Sequence, residues 1–116
     1  MKPHHLGLTI VGYTEAMSGL GEAVRLNIQA AQKHNLPLNI INYEKVKHKT
    51  SYEYTFDYNI NLVQIALHDL DQFFSVIEPD FFNDKYCILF IVWESEHIPE
   101  NIKKNVNLYN EIWTAS

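Results

Sequence analysis

The first 35 residues contain an apolar run, a glycine-bearing loop and a helical pattern in immediate succession. Residues 6–12 are apolar and partly β-branched, which is typical of a buried strand. The loop between Gly12 and Gly21 follows, and it leads directly into apolar residues at helical spacing. Backbone N–H groups at the start of a helix are open to a ligand, and the helix dipole favours negative charge there. The order therefore predicts a strand–loop–helix unit whose turn can bind an anion.

The glycines of the chain are confined to this unit, since all four lie between Gly7 and Gly21. The loop matches neither the dinucleotide fingerprint G-x-G-x-x-G nor the P-loop, so both of those nucleotide sites are weak hypotheses. One alternative is a tight turn with close packing of the helix on the strand, because glycine serves both purposes. We favour a phosphate or sugar contact at Gly19, Leu20 and Gly21.

The rest of the chain alternates further strands with helices, which predicts a parallel sheet covered by helices on both faces. The first helix is expected from Gly19 to about His34, where Asn35 tolerates a left-handed backbone and Pro37 prevents continuation. Four more strands are predicted at residues 38–42, 60–66, 86–93 and 111–115. Between them we expect a long loop at 43–58 that could include a turn of helix, a short helix after Asp69 and another helix opened by Pro99. We therefore expect a Rossmann-like three-layer α/β/α domain spanning residues 1–116, with strand order 2-1-3-4-5.

This strand order places a topological switch point between strands 1 and 3, and open α/β sheets bind ligands outside the carboxyl ends of such strands. His68 follows strand 3, so it is a candidate catalytic residue; otherwise it makes local hydrogen bonds at a helix start. Three polar residues follow strand 4 and could hold a substrate, or could simply be a polar loop: Glu94, Ser95 and Glu96. Asp69 with Gln72 reads as a capping box, which explains the acidic pair at 69 and 71 more simply than a metal would. No metal or cofactor is predicted.

The amino-acid composition indicates which classes of partner the protein can bind and in which compartment of the cell it is found. The 116 residues carry a net charge of −5 without a dense basic patch, which argues against nucleic acid. The single cysteine, Cys87, lies in an apolar run and reads as a core residue of a cytoplasmic protein. No apolar run reaches the length of a membrane span, so we expect at most peripheral contact with a membrane.

Five segments occur in a characteristic order along the chain. They are residues 11–13, 18–23, 60–62 leading to His68, 86–94 followed by Pro99, and 111–116. Together they resemble the N-terminal domain of bacterial group 1, family 4-like glycosyltransferases of the GT-B architecture. The chain departs from that pattern at Ile91, where a second aromatic residue is common, and at Asn110, where aspartate is common.

The resemblance implies a retaining, metal-independent sugar transfer in a cleft between two Rossmann-like domains. A nucleotide-sugar donor would be held mostly by a C-terminal domain that this chain lacks, and the glycan acceptor mostly by this one. The chain would then be a fragment that is inactive alone. The alternative from a different class is a stand-alone flavodoxin-like module that binds a phosphorylated small molecule without catalysis. Exposed sheet edges would also allow a homodimer.

Overall fold

The chain forms a five-stranded parallel sheet in a Rossmann-like α/β arrangement, as the alternating pattern predicts. The computed structural model describes residues 5–17, 19–46, 58–66, 69–70, 72–73, 81–82, 85–92 and 108–115. The elements in chain order are β1 (His5–Gly12), α1 (Gly19–Lys33), β2 (Leu38–Asn42), α2 (Tyr43–Val46), β3 (Tyr58–Gln64), β4 (Tyr86–Val92) and β5 (Glu111–Ala115).

The strand order is β2-β1-β3-β4-β5, which confirms the predicted order and its switch point. Strand β1 pairs in parallel with β2 on one side and with β3 on the other. Strand β3 begins at Tyr58, in the predicted loop, and ends at Gln64, so both ends lie two residues earlier than predicted. Gln64 lies opposite Gly12, the last residue of β1. The ladder ends there because β1 turns away into the loop and no longer offers hydrogen-bond partners.

The two faces of the sheet bury different cores. The face under α1 is aliphatic and contains Ile10, Val24, Ile28, Leu62 and Ile88. The opposite face is rich in aromatic rings, with Tyr43, Phe73, Phe81 and Tyr109 packed over the alternate residues of the strands. Helical residues Leu70 and Phe73 belong to this second core, so apolar side chains cover the sheet on both sides.

Helix α1 ends in a closed backbone motif that the sequence predicts. Asn35 has a left-handed backbone with φ 57°, and it is the only non-glycine residue in the described ranges with positive φ. Its N–H donates to the Gln32 carbonyl at 3.0 Å, and the Leu36 N–H donates to the Ala31 carbonyl at 3.0 Å. These two bonds form a Schellman motif, so the last carbonyls of the helix are satisfied locally.

Several predictions for other segments can be compared only in part. Residues 43–46 of the expected loop form α2, and residues 47–57 lie outside the described ranges, as do most residues of the two predicted helices after β3 and β4. Cys87 is fully buried, as predicted, and its burial raises the pKa of the thiol. Among the described helices none is long and apolar enough to cross a bilayer.

Candidate functional site

The loop after β1 leaves the carboxyl edge of the sheet at the switch point. Gly12 lies opposite Asn42 at the end of β2 and opposite Gln64 at the end of β3. The connection that leaves β1 leads to β2 on one side of the sheet, and the connection that leaves β3 leads to β4 on the other side. The two connections therefore diverge at the carboxyl ends of β1 and β3. This divergence forms the crevice in which open α/β sheets bind ligands.

Tyr13 anchors the loop to the segment that follows β3. Its hydroxyl donates a hydrogen bond to the Asp69 carboxylate, and both residues are buried. Its ring packs edge-to-face on Tyr43, with centroids 5.7 Å apart. Burial and the neighbouring Asp69 carboxylate raise the pKa of the Tyr13 phenol well above its ordinary value, so the hydroxyl remains a donor even at the alkaline pH where an ordinary phenol ionises.

Glu15 ties the loop to the opposite side, where β2 ends. The Asn42 side-chain amide donates to the Glu15 carboxylate at 3.2 Å, and the Lys45 ammonium lies 3.9 Å from the same oxygen. The Glu15 and Lys45 side chains are 71% and 70% exposed, so the ion pair itself contributes little stability. These exposed contacts lie on the β2 side of the loop, whereas the buried Tyr13 contact lies on the β3 side.

Arg25 and Gly21 both contact the Ala16 carbonyl, which holds the loop against α1. Arg25 Nη1 donates to the Ala16 carbonyl at 2.6 Å and to the Thr14 carbonyl at 3.3 Å. Gly21 stands one helical turn before Arg25, and a Cβ there would lie 2.3 Å from the Ala16 oxygen. The Ala16 carbonyl therefore rests on the bare Cα of Gly21 and is bound from the side by the guanidinium.

Gly19 differs from the other glycines because nothing approaches the position of its missing side chain. A Cβ on Gly19 would meet no atom within 4 Å, whereas one on Gly12 would lie 2.7 Å from the Gln64 backbone oxygen and 2.9 Å from Val24. None of the four glycines has positive φ. Packing thus explains Gly12 and Gly21, as the alternative interpretation of the loop expects, but neither packing nor backbone geometry explains Gly19.

The backbone N–H groups in the first turn of α1, where the loop joins the helix, are available to a ligand. In the described part of the chain the N–H groups of Gly19 and Leu20 have no hydrogen-bond partner, and Gly19 is exposed. Unpaired N–H groups carry the positive end of the helix dipole. Gly19 and Leu20 therefore offer donors to an anion, whereas Gly21 is buried beneath the loop.

A partly buried contact between two side-chain amides joins α1 to β3 near the same edge. Asn27 Nδ2 donates to Gln64 Oε1 at 2.7 Å, and Gln64 is fully buried. Rotating α1 away would leave the buried Gln64 Oε1 without this donor, so the contact favours one rotation of the helix. It therefore also favours one direction for the first turn of α1.

The remaining predicted site residues lie outside the described ranges. These are His68, Glu94, Ser95 and Glu96. Their roles stay predictions, as does the capping role of Asp69, whose carboxylate accepts the Tyr13 hydrogen bond. In the described ranges, no group of three His, Cys, Asp or Glu side chains is placed to hold a metal ion.

Two anchors of the loop, Tyr13 and Arg25, were missed by sequence reasoning. The spacing Gly21 to Arg25, one helical turn, was a usable signal, because residues four apart share a helix face. The Tyr13–Asp69 contact had no such signal, since 56 positions separate the two residues.

Comparison with known proteins found no matching family model, no matching curated protein and no matching solved structure.

Proposed function

We propose that this chain is the acceptor-side domain of a retaining glycosyltransferase that moves a sugar from a nucleotide-sugar to a glycan or similar acceptor. The observation that carries the proposal is the first turn of α1 at Gly19, which follows the β1 loop at the topological switch point and has open space where a Gly19 side chain would lie. The ordered resemblance of the sequence to the family supports the reaction type. The donor nucleotide would be gripped chiefly by a second domain.

In this proposal the N–H groups of Gly19 and Leu20 stabilise the diphosphate of the donor. The bond between the anomeric carbon and the diphosphate oxygen breaks, so negative charge grows on the leaving group, and fixed donors stabilise that charge most. The acceptor hydroxyl forms the new bond to the anomeric carbon, and its proton leaves with the nucleoside diphosphate. His68 is proposed to hydrogen-bond near the transferred sugar, and Glu94, Ser95 and Glu96 to hold the acceptor.

Anion binding is tested on the 116-residue chain itself, with inorganic pyrophosphate as the probe. Amide resonances of Gly19 and Leu20 in a ¹⁵N-labelled sample are expected to shift on titration, and less so at high salt. G19D places a carboxylate in the open turn and should weaken binding by about tenfold, because like charges repel there. G19A is the matched control, since its Cβ meets open space, and it should bind like wild type.

Sugar transfer is tested with the full-length protein that contains this sequence. The protein is incubated with nucleoside-diphosphate sugars and glycan acceptors, and the release of free nucleoside diphosphate is measured. G19D should reduce release and G19A should not. Pyrophosphate binding without any transfer would contradict the transferase and support the non-catalytic module; equal release by G19D and wild type would contradict the role of the helix start.

A further inference from the structure

A row of polar side chains crosses the sheet inside its aromatic core. Thr9 of β1 pairs in register with Asn61 of β3, and Asn61 pairs with Cys87 of β4. Because alternate residues of a strand share a face, Thr9 and Asn61 lie on the same side as the buried Val11 and Val63. Thr9, Asn61 and Cys87 are all fully buried. The polar atoms of this row are therefore withdrawn from solvent and need partners within the core.

Asn61 directs the nitrogen of its amide to one side of the row. Nδ2 donates to the Phe81 carbonyl at 2.6 Å and to the Cys87 sulfur at 3.6 Å. A carbonyl oxygen only accepts, so the Phe81 contact identifies which end of the amide is the nitrogen. Since Nδ2 is turned towards β4, Oδ1 at the other end of the planar amide is turned towards β1, where Thr9 lies.

Two oxygen atoms of the row lack a protein partner. In the part of the chain that the structure describes, Thr9 Oγ1 and Asn61 Oδ1 are both buried and neither makes a hydrogen bond. Native proteins rarely leave a buried polar atom unsatisfied, because the cost of removing it from water is not recovered. Two such atoms side by side on neighbouring strands indicate one shared partner.

We propose that one buried water molecule bridges Thr9 Oγ1 and Asn61 Oδ1. Neighbouring strands lie about 4.8 Å apart, and two hydrogen bonds of about 2.8 Å through one water span up to about 5.6 Å. The Thr9 hydroxyl donates to the water, and the water donates to Asn61 Oδ1, so donors and acceptors match. The inference concerns the core between β1 and β3 and does not depend on sugar transfer.

Water suits these two oxygens better than a metal ion does. Both oxygens belong to uncharged groups, whereas hard cations are bound chiefly with the help of carboxylates. Burial raises the pKa of the Cys87 thiol and the ammonium of buried Lys85 opposes that rise, so Lys85 brings positive charge close to the row. This charge repels a cation but not a neutral water molecule.

Crystal structures of the 116-residue chain and of two variants at position 9 test the proposal. Wild type and T9S both carry a hydroxyl there, and each should show one ordered solvent peak within about 2.6 to 3.2 Å of the position 9 oxygen and of Asn61 Oδ1. T9V has nearly the same shape as wild type but lacks the hydroxyl, so it should show no peak at that position. T9S is thus the matched control that separates loss of the hydroxyl from substitution alone.

The thermal midpoint of T9V gives a second readout in solution, and its sign is informative. If a water bridges the two oxygens, T9V removes one of its partners and leaves Asn61 Oδ1 unsatisfied, so Tm should fall below that of wild type. If Thr9 Oγ1 has no partner at all, replacing the hydroxyl with a methyl group relieves a buried polar atom, and Tm should rise.

Four outcomes would overturn the proposal. They are a direct hydrogen bond between Thr9 and Asn61, a dry contact without a solvent peak between them, a rise in the Tm of T9V, and an anomalous signal at the peak after soaking in rubidium chloride. The last of these would identify a cation in place of water. If T9V does not fold, the electron density of wild type and T9S decides alone.

Discussion

The two ends of α1 are capped in different ways. At the carboxyl end, backbone bonds from Asn35 and Leu36 close the helix within its own sequence. At the amino end, closure comes from distant side chains: Tyr13 reaches Asp69, and Arg25 reaches back to the loop carbonyls. Among the residues that the structure describes, the N–H groups of Gly19 and Leu20 at that end have no hydrogen-bond partner.

This difference separates stability from function along one helix. A Schellman motif needs no partner, so the carboxyl end contributes to folding wherever the helix forms. The amino end depends on tertiary contacts that orient the loop while leaving donors exposed, which is the arrangement expected of a binding turn. Substitutions at the two ends should therefore affect unfolding and anion binding differently.

The largest expected effect is at Gly21. The added methyl group of G21A would lie 2.3 Å from the Ala16 oxygen, so the loop must move away from α1. We expect the free energy of unfolding to fall by about 3 kcal/mol, as for other overpacked sites. Urea denaturation measures the loss, and G19A serves as the control because its Cβ meets no atom within 4 Å. Equal stability of G21A and G19A would show that the loop does not rest on Gly21.

Tyr13 should have the next largest effect. Y13F removes the hydroxyl that donates to the buried Asp69 carboxylate, and it should lower the free energy of unfolding by about 2 kcal/mol. D69N keeps an acceptor oxygen for the hydroxyl and should cost less. A loss in Y13F no greater than in D69N would mean that the hydrogen bond does not hold the loop.

The pH dependence of Y13F tests the same contact in a second way. Burial and the Asp69 carboxylate raise the pKa of Tyr13 in the folded state, so above about pH 10 the unfolded phenol ionises first. The stabilisation is complete below that pH and is lost as the pH rises further. Wild type should therefore lose stability above pH 10 more steeply than Y13F; buried Tyr109 is present in both and cancels. Parallel pH curves would contradict the assignment.

Local pattern was enough to predict the strands and their order, because each strand of this sheet is a short apolar run and parallel crossovers restrict the topology. The same pattern predicted Asn35 at the end of α1, since a left-handed residue before Pro37 is a local requirement. It did not distinguish Gly19 from Gly21, because that difference depends on where the Ala16 carbonyl lies. The Tyr13–Asp69 contact escaped for the same reason: it joins two loops that only the folded sheet brings together.

Asn35 should give the smallest effect and the clearest contrast between the ends. Its φ of 57° is costly for a side chain without a local polar group, so N35A should lower the free energy of unfolding by about 1 kcal/mol. N35G should be at least as stable as wild type, because glycine adopts this backbone without steric cost. The 15 residues of α1 separate this end from Gly19 by about 22 Å, so both variants should bind pyrophosphate like wild type. Weaker binding by N35A at temperatures where it is fully folded would mean that the two ends are coupled, and the division of α1 into a structural end and a binding end would then be wrong.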